Sequence, residues 1–282
     1  MASSLTTDQL QQLRELLAAG CGIAVGDAGH PSVQEGIARL MARHEKTGFD
    51  EFIAWATNTC TGVRDQLLNA MVSRETAWFR DPECWDALGS EVLAPMEEKL
   101  EAGGAGKIRV WSAGCSTGQE PYSFVMSILE RIRQMGMGTQ FPTYYDVIAT
   151  DISPAALFLA VAGRYDARAM AQGLSPEHRK RYFTREGAVW CLVDAVRQAV
   201  RFRQRNLQDP YEGETAGPFD VVLLRRVLEY YAPETRRRIV GQVAEAMSPG
   251  GVLFLGSGET CPEHDKLLPE ERGRCTVYRR RG

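Results

Sequence analysis

The strongest constraint on the fold is the stretch Lys107–Ser123, which reads Lys-Ile-Arg-Val-Trp-Ser-Ala-Gly-Cys-Ser-Thr-Gly-Gln-Glu-Pro-Tyr-Ser. Ile108, Val110 and Trp111 suit a buried parallel strand. Gly114 and Gly118 permit a sharp turn and a close backbone approach to a ligand, and Pro121 suits the first turn of a helix. Open α/β sheets bind ligands at such strand-to-helix turns. No Lys-Ser/Thr pair follows the second glycine, and an acid, Glu120, stands at the end of the turn, which argues against a nucleoside triphosphate. A carboxylate beside a glycine turn fits a ligand with hydroxyls or a positive charge. S-adenosylmethionine has both, in its ribose, amino group and sulfonium. Taken alone, the glycine turn is a weak signal, because such a pattern also occurs in ordinary strand-to-helix connections, so context must decide.

Asp146-Val-Ile-Ala-Thr-Asp151 is a second apolar run ending in an acid. Doubly wound sheets place such an acid at a strand end to hold ribose hydroxyls. Asp151 is therefore a ribose candidate, or the N-cap of a helix over Ala155–Ala162, with Ser153 and Pro154 between. Further strands are expected at Phe219–Leu224, Gly251–Leu255 and Cys275–Tyr278, separated by helical spans. The alternation predicts an α/β fold.

The chain has 282 residues, 44% of them hydrophobic, enough for one large core or a core plus a small domain. No apolar run reaches the roughly 18 to 20 residues that span a bilayer, and the N-terminus has no export signal pattern. The seven cysteines are odd in number and scattered, without Cys-x-x-Cys, so neither a disulfide framework nor a zinc site is expected; a reducing cytoplasm is. Cys115 reads as a small residue packed beneath a ligand in preference to a reactive thiol. Four histidines without ligand spacing predict no metal.

Net charge is −3, unevenly spread: from Val161 to Asn206 ten Lys/Arg face four acids, a surplus of six. Such a patch favours an acidic partner, or is simply a solvated face. It lacks a regular aromatic-basic platform for nucleic acid. In the first seventy residues Leu10, Leu13, Leu16 and Leu17, and then Val33, Ile37, Leu40 and Met41, recur at helical spacing. This predicts an N-terminal helical domain, residues 1–72, with the rest of the chain, 73–282, forming the α/β domain. Glu101–Gly106 breaks helical periodicity just before the first sheet strand.

Between these parts lies Arg74-Glu75-Thr76-Ala77-Trp78-Phe79-Arg80. With Trp111–Ser123, Ala149-Thr150-Asp151-Ile152, Arg205-Asn206-Leu207, Phe219–Tyr231 and Pro249–Phe254, it resembles the CheR-type chemotaxis receptor methyltransferases in order and spacing. The likeness covers essentially the whole chain. It implies a Rossmann-like S-adenosylmethionine-dependent methyltransferase sheet with an N-terminal helical domain and a small inserted antiparallel β-subdomain at about 178–204. It also implies methyl transfer to glutamate carboxylates on a chemoreceptor's cytoplasmic helices, giving methyl esters and S-adenosylhomocysteine. Carried over by motif, Thr76, Arg80, Glu120, Asp151, Asn206, Leu207 and Arg225 would hold the cofactor, and Tyr230 would lie near the transferring methyl. Arg80 would also align the incoming glutamate, unless it forms a structural ion pair with Asp81 or Glu83. Members of this kind are usually monomers and do not insert in the membrane, and no nucleic-acid role is implied.

Two positions depart from the family pattern. Arg74 replaces an Asn before Glu-Thr, and Arg226 an Asn after Arg225. Both family positions contribute to the cofactor pocket. Turned inward, each arginine would repel the sulfonium by about 3 kcal/mol at about 6 Å and an effective dielectric near 20. The alternative is that one binds the cofactor's carboxylate while the other swings toward substrate. A catalytically impaired, cofactor-sensing or scaffold relative is thus a second reading, and methylation of RNA or a small molecule a third. The first hairpin of the expected insertion, Phe183–Leu192, is short. Members with a shortened hairpin generally do not use a tethering pentapeptide, so the receptor helix would be recognised directly through the basic face.

Overall fold

The computed structural model describes residues 6–21, 31–58, 66–67, 76–103, 106–136, 141–213 and 217–282. Seven strands form the main sheet, in the order β6-β2-β1-β7-β8-β10-β9. Their spans are β1 Ile108–Ala113, β2 Tyr145–Asp151, β6 Val200–Gln204, β7 Phe219–Leu224, β8 Met247–Leu255, β9 Leu267–Arg272 and β10 Cys275–Arg280. β6, β2, β1, β7 and β8 run parallel, while β10 is antiparallel to both β8 and β9. β1 and β7 have the near-continuous burial of strands covered on both faces.

The helices begin and end for local reasons. Helix Gln119–Gln134 follows Gly118, whose φ of 92° reverses the chain, and carries Glu120 in its first turn with Arg131 and Arg133 in its last, matching the helix dipole. Helix Pro154–Ala162 is capped by Ser153, whose side chain accepts the Ala156 N–H, and stopped by left-handed Gly163. The cap is therefore Ser153, so Asp151 is left for other work. Across the sheet, helix Pro233–Ala246 buries Ile239, Val240 and Val243.

Helices Thr7–Cys21 and Pro31–Arg43 carry the two periodic apolar stretches, and helix Phe49–Asn58 follows them. Leu13, Ile37, Leu40 and Phe52 belong to one buried cluster with Trp111, Phe219 and Leu253 of the sheet. The N-terminal helices thus share their core with the α/β part.

The small antiparallel sheet is present, but its boundaries differ from the expected 178–204. It consists of β3 Arg164–Tyr165, β4 Phe183–Glu186 and β5 Val189–Leu192, in the order β3-β5-β4. Val200–Gln204 is instead the parallel edge strand of the main sheet, with Val200 buried and Phe202 edge-on to Tyr122 at 5.6 Å. Its alternation of arginine with apolar residues is that of a half-covered edge strand and looks the same in either sheet.

The expectation of no disulfide is corrected: Cys84 and Cys275 are bonded, with Cα atoms 5.4 Å apart and 191 residues between them in sequence. The pairing comes from β10 packing beside helix Pro82–Ala87. Sequence spacing carries no trace of that neighbourhood.

Candidate functional site

β1 sits mid-sheet, with β2 on one side and β7 on the other. Helices Gln119–Gln134 and Pro154–Ala162 lie on the same face, since Tyr122 donates its hydroxyl to the Ala160 carbonyl at 2.7 Å. Chain order reverses between β1 and β7, which is where such sheets open a crevice at their carboxyl ends. The glycine turn lies there. The N–H groups of Gly114 and Cys115 both donate to the Thr150 carbonyl, at 2.8 and 2.9 Å. A Cβ on Gly114 would come within 2.4 Å of Val227 Cγ2, so the turn presses directly on the segment after β7. At Gly118 it would meet Ala160 and Tyr122 at 3.0 Å.

Asp151 organises this turn. Its Oδ2 accepts the Ser116 N–H at 2.8 Å, and its Oδ1 accepts the Ser153 N–H at 2.9 Å. A carboxylate has about four acceptor sites, so one such group can serve backbone N–H groups and ligand hydroxyls together. The Arg205 N–H donates to the Asp151 carbonyl, which brings Asn206 and buried Leu207 to the same strand end.

On the β7 side three charges meet. Arg225, its side chain 3% exposed, donates to Asp81 Oδ2 at 2.7 Å and to the Arg80 carbonyl at 2.6 Å, and its Nη1 lies 3.5 Å from Glu120 Oε2. Ser112 donates to Glu120 Oε1 at 2.7 Å. Burial raises the Glu120 pKa, against the pull of Arg225 and the Ser112 hydrogen bond. At Asp81 burial also acts upward, but the Ser257 N–H and Arg225 outweigh it, leaving this carboxyl below its ordinary value. Asp81, one of the two acids named as an alternative partner for Arg80, pairs with Arg225. Arg80 adds its positive field at both acids.

The segment Trp78–Asp81 is fixed from several sides. The Phe79 N–H donates to Ser123 Oγ at 3.0 Å, and Trp78 Nε1 donates to the Ala169 carbonyl at 3.0 Å. The Trp78 ring stands edge-on to Tyr165 and Phe183 at 4.9 and 5.2 Å, tying this segment to the small sheet. Phe79, Asp81, Ser116 and Arg226 are four of the five non-glycine residues with left-handed backbones among the described residues. Such conformations cost about 1 to 3 kcal/mol each and gather at functional sites.

The two departures from the family pattern part company. Arg74 lies outside the described residues. Arg226 turns outward, its side chain 45% exposed, with Nε 3.6 Å from Glu229 Oε1. Thr76 and Tyr230 are half-buried, Tyr230 against the core below. Cys115 is buried, and burial pushes its thiol well above the ordinary range, so it packs and does not react as a thiolate.

Sequence reasoning missed the pairing of Asp81 with Arg225, and it missed Glu259. Glu259 Oε2 accepts the N–H groups of both Arg226 and Gly256, at 2.6 and 2.7 Å, and so pins the turn after β7 to the end of β8. Only the pairing of β7 with β8 brings these groups together.

Ser116 Oγ and Arg225 Nε are buried without a hydrogen-bond partner among the described residues. Buried polar atoms rarely stay so, and here they flank a glycine cradle, as the polar groups of a nucleoside cofactor require. Strand order and the glycine cradle at the switch point are those of an S-adenosylmethionine-dependent methyltransferase. Residues 74–276 match the family "CheR methyltransferase, SAM binding domain", and the chain belongs to it. It is 35% identical to chemotaxis protein methyltransferase 1 of Pseudomonas aeruginosa over 98% of this chain and 99% of that one. A Pseudomonas putida chemotaxis protein methyltransferase, Cher2, is 34% identical over 92% of this chain and 93% of its own. Among solved structures, a TehB-like S-adenosylmethionine-dependent methyltransferase from Corynebacterium glutamicum overlaps 71% of this chain and 97% of that one, at 11% identity and a TM-score of 0.35.

Proposed function

We propose that this methyltransferase of the chemotaxis system esterifies glutamate side chains on the cytoplasmic helices of a chemoreceptor. The observation that carries the reading is the kind of group gathered at the switch point. These are carboxylates, a guanidinium and hydroxyls, and the Cys115 thiol is held protonated by burial. Such a site suits a nucleophile that is already ionised. A glutamate, with an ordinary pKa near about 4.3, is such a nucleophile at neutral pH.

S-adenosylmethionine supplies the methyl group, activated on its sulfonium, and is released as S-adenosylhomocysteine. A substrate oxygen gains the bond to carbon that sulfur loses, and no proton moves. The chain's task is to position the carboxylate and strip its water. In this reading Glu120, Asp151, Thr76, Asn206, Leu207 and Arg225 bind the cofactor. Arg225 and Arg80 together offset the charges of Asp81 and Glu120, so that the anionic substrate meets less repulsion. Arg80 aligns the substrate, and Tyr230 borders the methyl.

We further propose that the enzyme works in the cytoplasm as a monomer, without a tethering peptide. The four-residue strands β4 and β5, joined by a two-residue turn, support the last point, because they offer little backbone to an added strand. Purified protein incubated with methyl-labelled S-adenosylmethionine and a receptor cytoplasmic fragment is expected to form base-labile esters that release methanol. Label retained after mild alkali, or found only on RNA, would overturn the assignment.

A further inference from the structure

Arg225 and Arg226 are neighbours in sequence with opposite fates. Arg225 is sealed inside, whereas the backbone of Arg226 is fixed so that its side chain lies at the rim. Its φ of 59° turns the side chain away from its neighbour's path. Glu259 clamps its N–H, and its Cγ and Cδ lie across Gly256, where a Cβ would approach them to 3.1 and 2.8 Å. A side chain at residue 256 would contest the space taken by the arginine stem. The segment also abuts the cofactor turn, through the contact of Val227 with Gly114. The guanidinium therefore projects to solvent at the mouth of the β1/β7 crevice. Its neighbour is Glu229, 3.6 Å away and itself 42% exposed. An exposed pair at that distance is loosely held and readily exchanged.

Resting on the proposed carboxylate methylation, we infer that Arg226 is a substrate-positioning residue: it captures the incoming glutamate carboxylate at the rim, with Glu229 occupying the guanidinium until substrate displaces it. The replacement of Asn by Arg at this position then tunes recognition of an anionic substrate without placing a second cation beside the sulfonium. A charge at the rim acts mainly on encounter and orientation.

The test compares wild-type protein with Arg226→Asn, Arg226→Lys and Glu229→Gln, using methyl transfer to a receptor cytoplasmic fragment and calorimetric binding of S-adenosylhomocysteine. Asn tolerates the left-handed backbone, so Arg226→Asn keeps the turn. Its KM for the fragment should rise about ten-fold, with kcat and S-adenosylhomocysteine affinity both within about two-fold. Arg226→Lys should recover part of the loss, Glu229→Gln should lower KM, and added salt should shrink every difference. An unchanged KM in Arg226→Asn, or a parallel loss of S-adenosylhomocysteine affinity, overturns the inference and leaves the methylation reading intact. Wild-type protein that transfers no methyl group to the fragment overturns both.

Discussion

The two sheets of this molecule handle charge in opposite ways. At the carboxyl end of the main sheet, charges are few, buried and shared: Arg225 serves two carboxylates and a carbonyl, and Asp151 holds two backbone N–H groups. Around the small sheet they are many, exposed and matched locally. Arg164 pairs with Glu186, Arg197 with Asp194 and Arg181 with Glu130; Arg179 and Arg185 lie over the Trp190 ring. The basic surplus read from the sequence is therefore largely engaged at home. Fixed charges at the switch point can act on a ligand without rearranging, while those of the small sheet must first give up a partner.

Breaking the buried set should cost most. Arg225→Ala leaves Asp81 and Glu120 as uncompensated neighbours, and a loss of about 3 to 5 kcal/mol in denaturant unfolding is expected, together with loss of measurable S-adenosylmethionine binding by calorimetry. Gly114→Ala comes next. Both its φ of 91° and the 2.4 Å approach to Val227 oppose a side chain, which predicts a loss of about 2 kcal/mol, partly restored by adding Val227→Ala.

The junction between the two regions is gentler. Glu130 accepts hydrogen bonds from Arg133, Arg181 and Tyr182. Burial acts to raise its pKa, but these partners outweigh it and lower it to about 2. Its stabilisation is complete above the unfolded value, near 4.5, and fades as pH falls through about 2. Glu130→Gln should therefore flatten the acid limb of a stability-against-pH curve below pH 5 and cost about 1 kcal/mol at neutral pH. The smallest effect should come from the open face of the small sheet. The double variant Arg164→Ala/Glu186→Ala should leave the thermal midpoint and cofactor affinity where they were. A large change in either would mean that the small sheet's surface pairs are coupled to the site after all.

What the sequence made legible follows the same division. β1, β2 and β7 declared themselves because strands buried on both faces are largely apolar, and the cradle showed because glycine is favoured at the φ of 91° and 92° of Gly114 and Gly118. The acid at the end of β2 was visible, but that Ser153 takes the helix cap was not. β9 was not foreseen: Pro269, Glu270 and Glu271 carry no strand pattern, yet an edge strand with one free side accommodates them. Asp81, Glu259 and the bonded cysteines were hidden for a different reason. Their partners lie 144, 33 and 191 residues away, so only the strand order creates the pairs.

The position of β10 sets a timetable for the newborn chain. This strand lies between β8 and β9 but follows both in sequence, and its Val277 is fully buried. While the ribosome is still making it, β8 presents an unpaired backbone edge beside an apolar face, an invitation to foreign strands. The growing chain is thus most exposed to aggregation between the synthesis of β8 and that of β10, and expression at lower temperature should favour the soluble product.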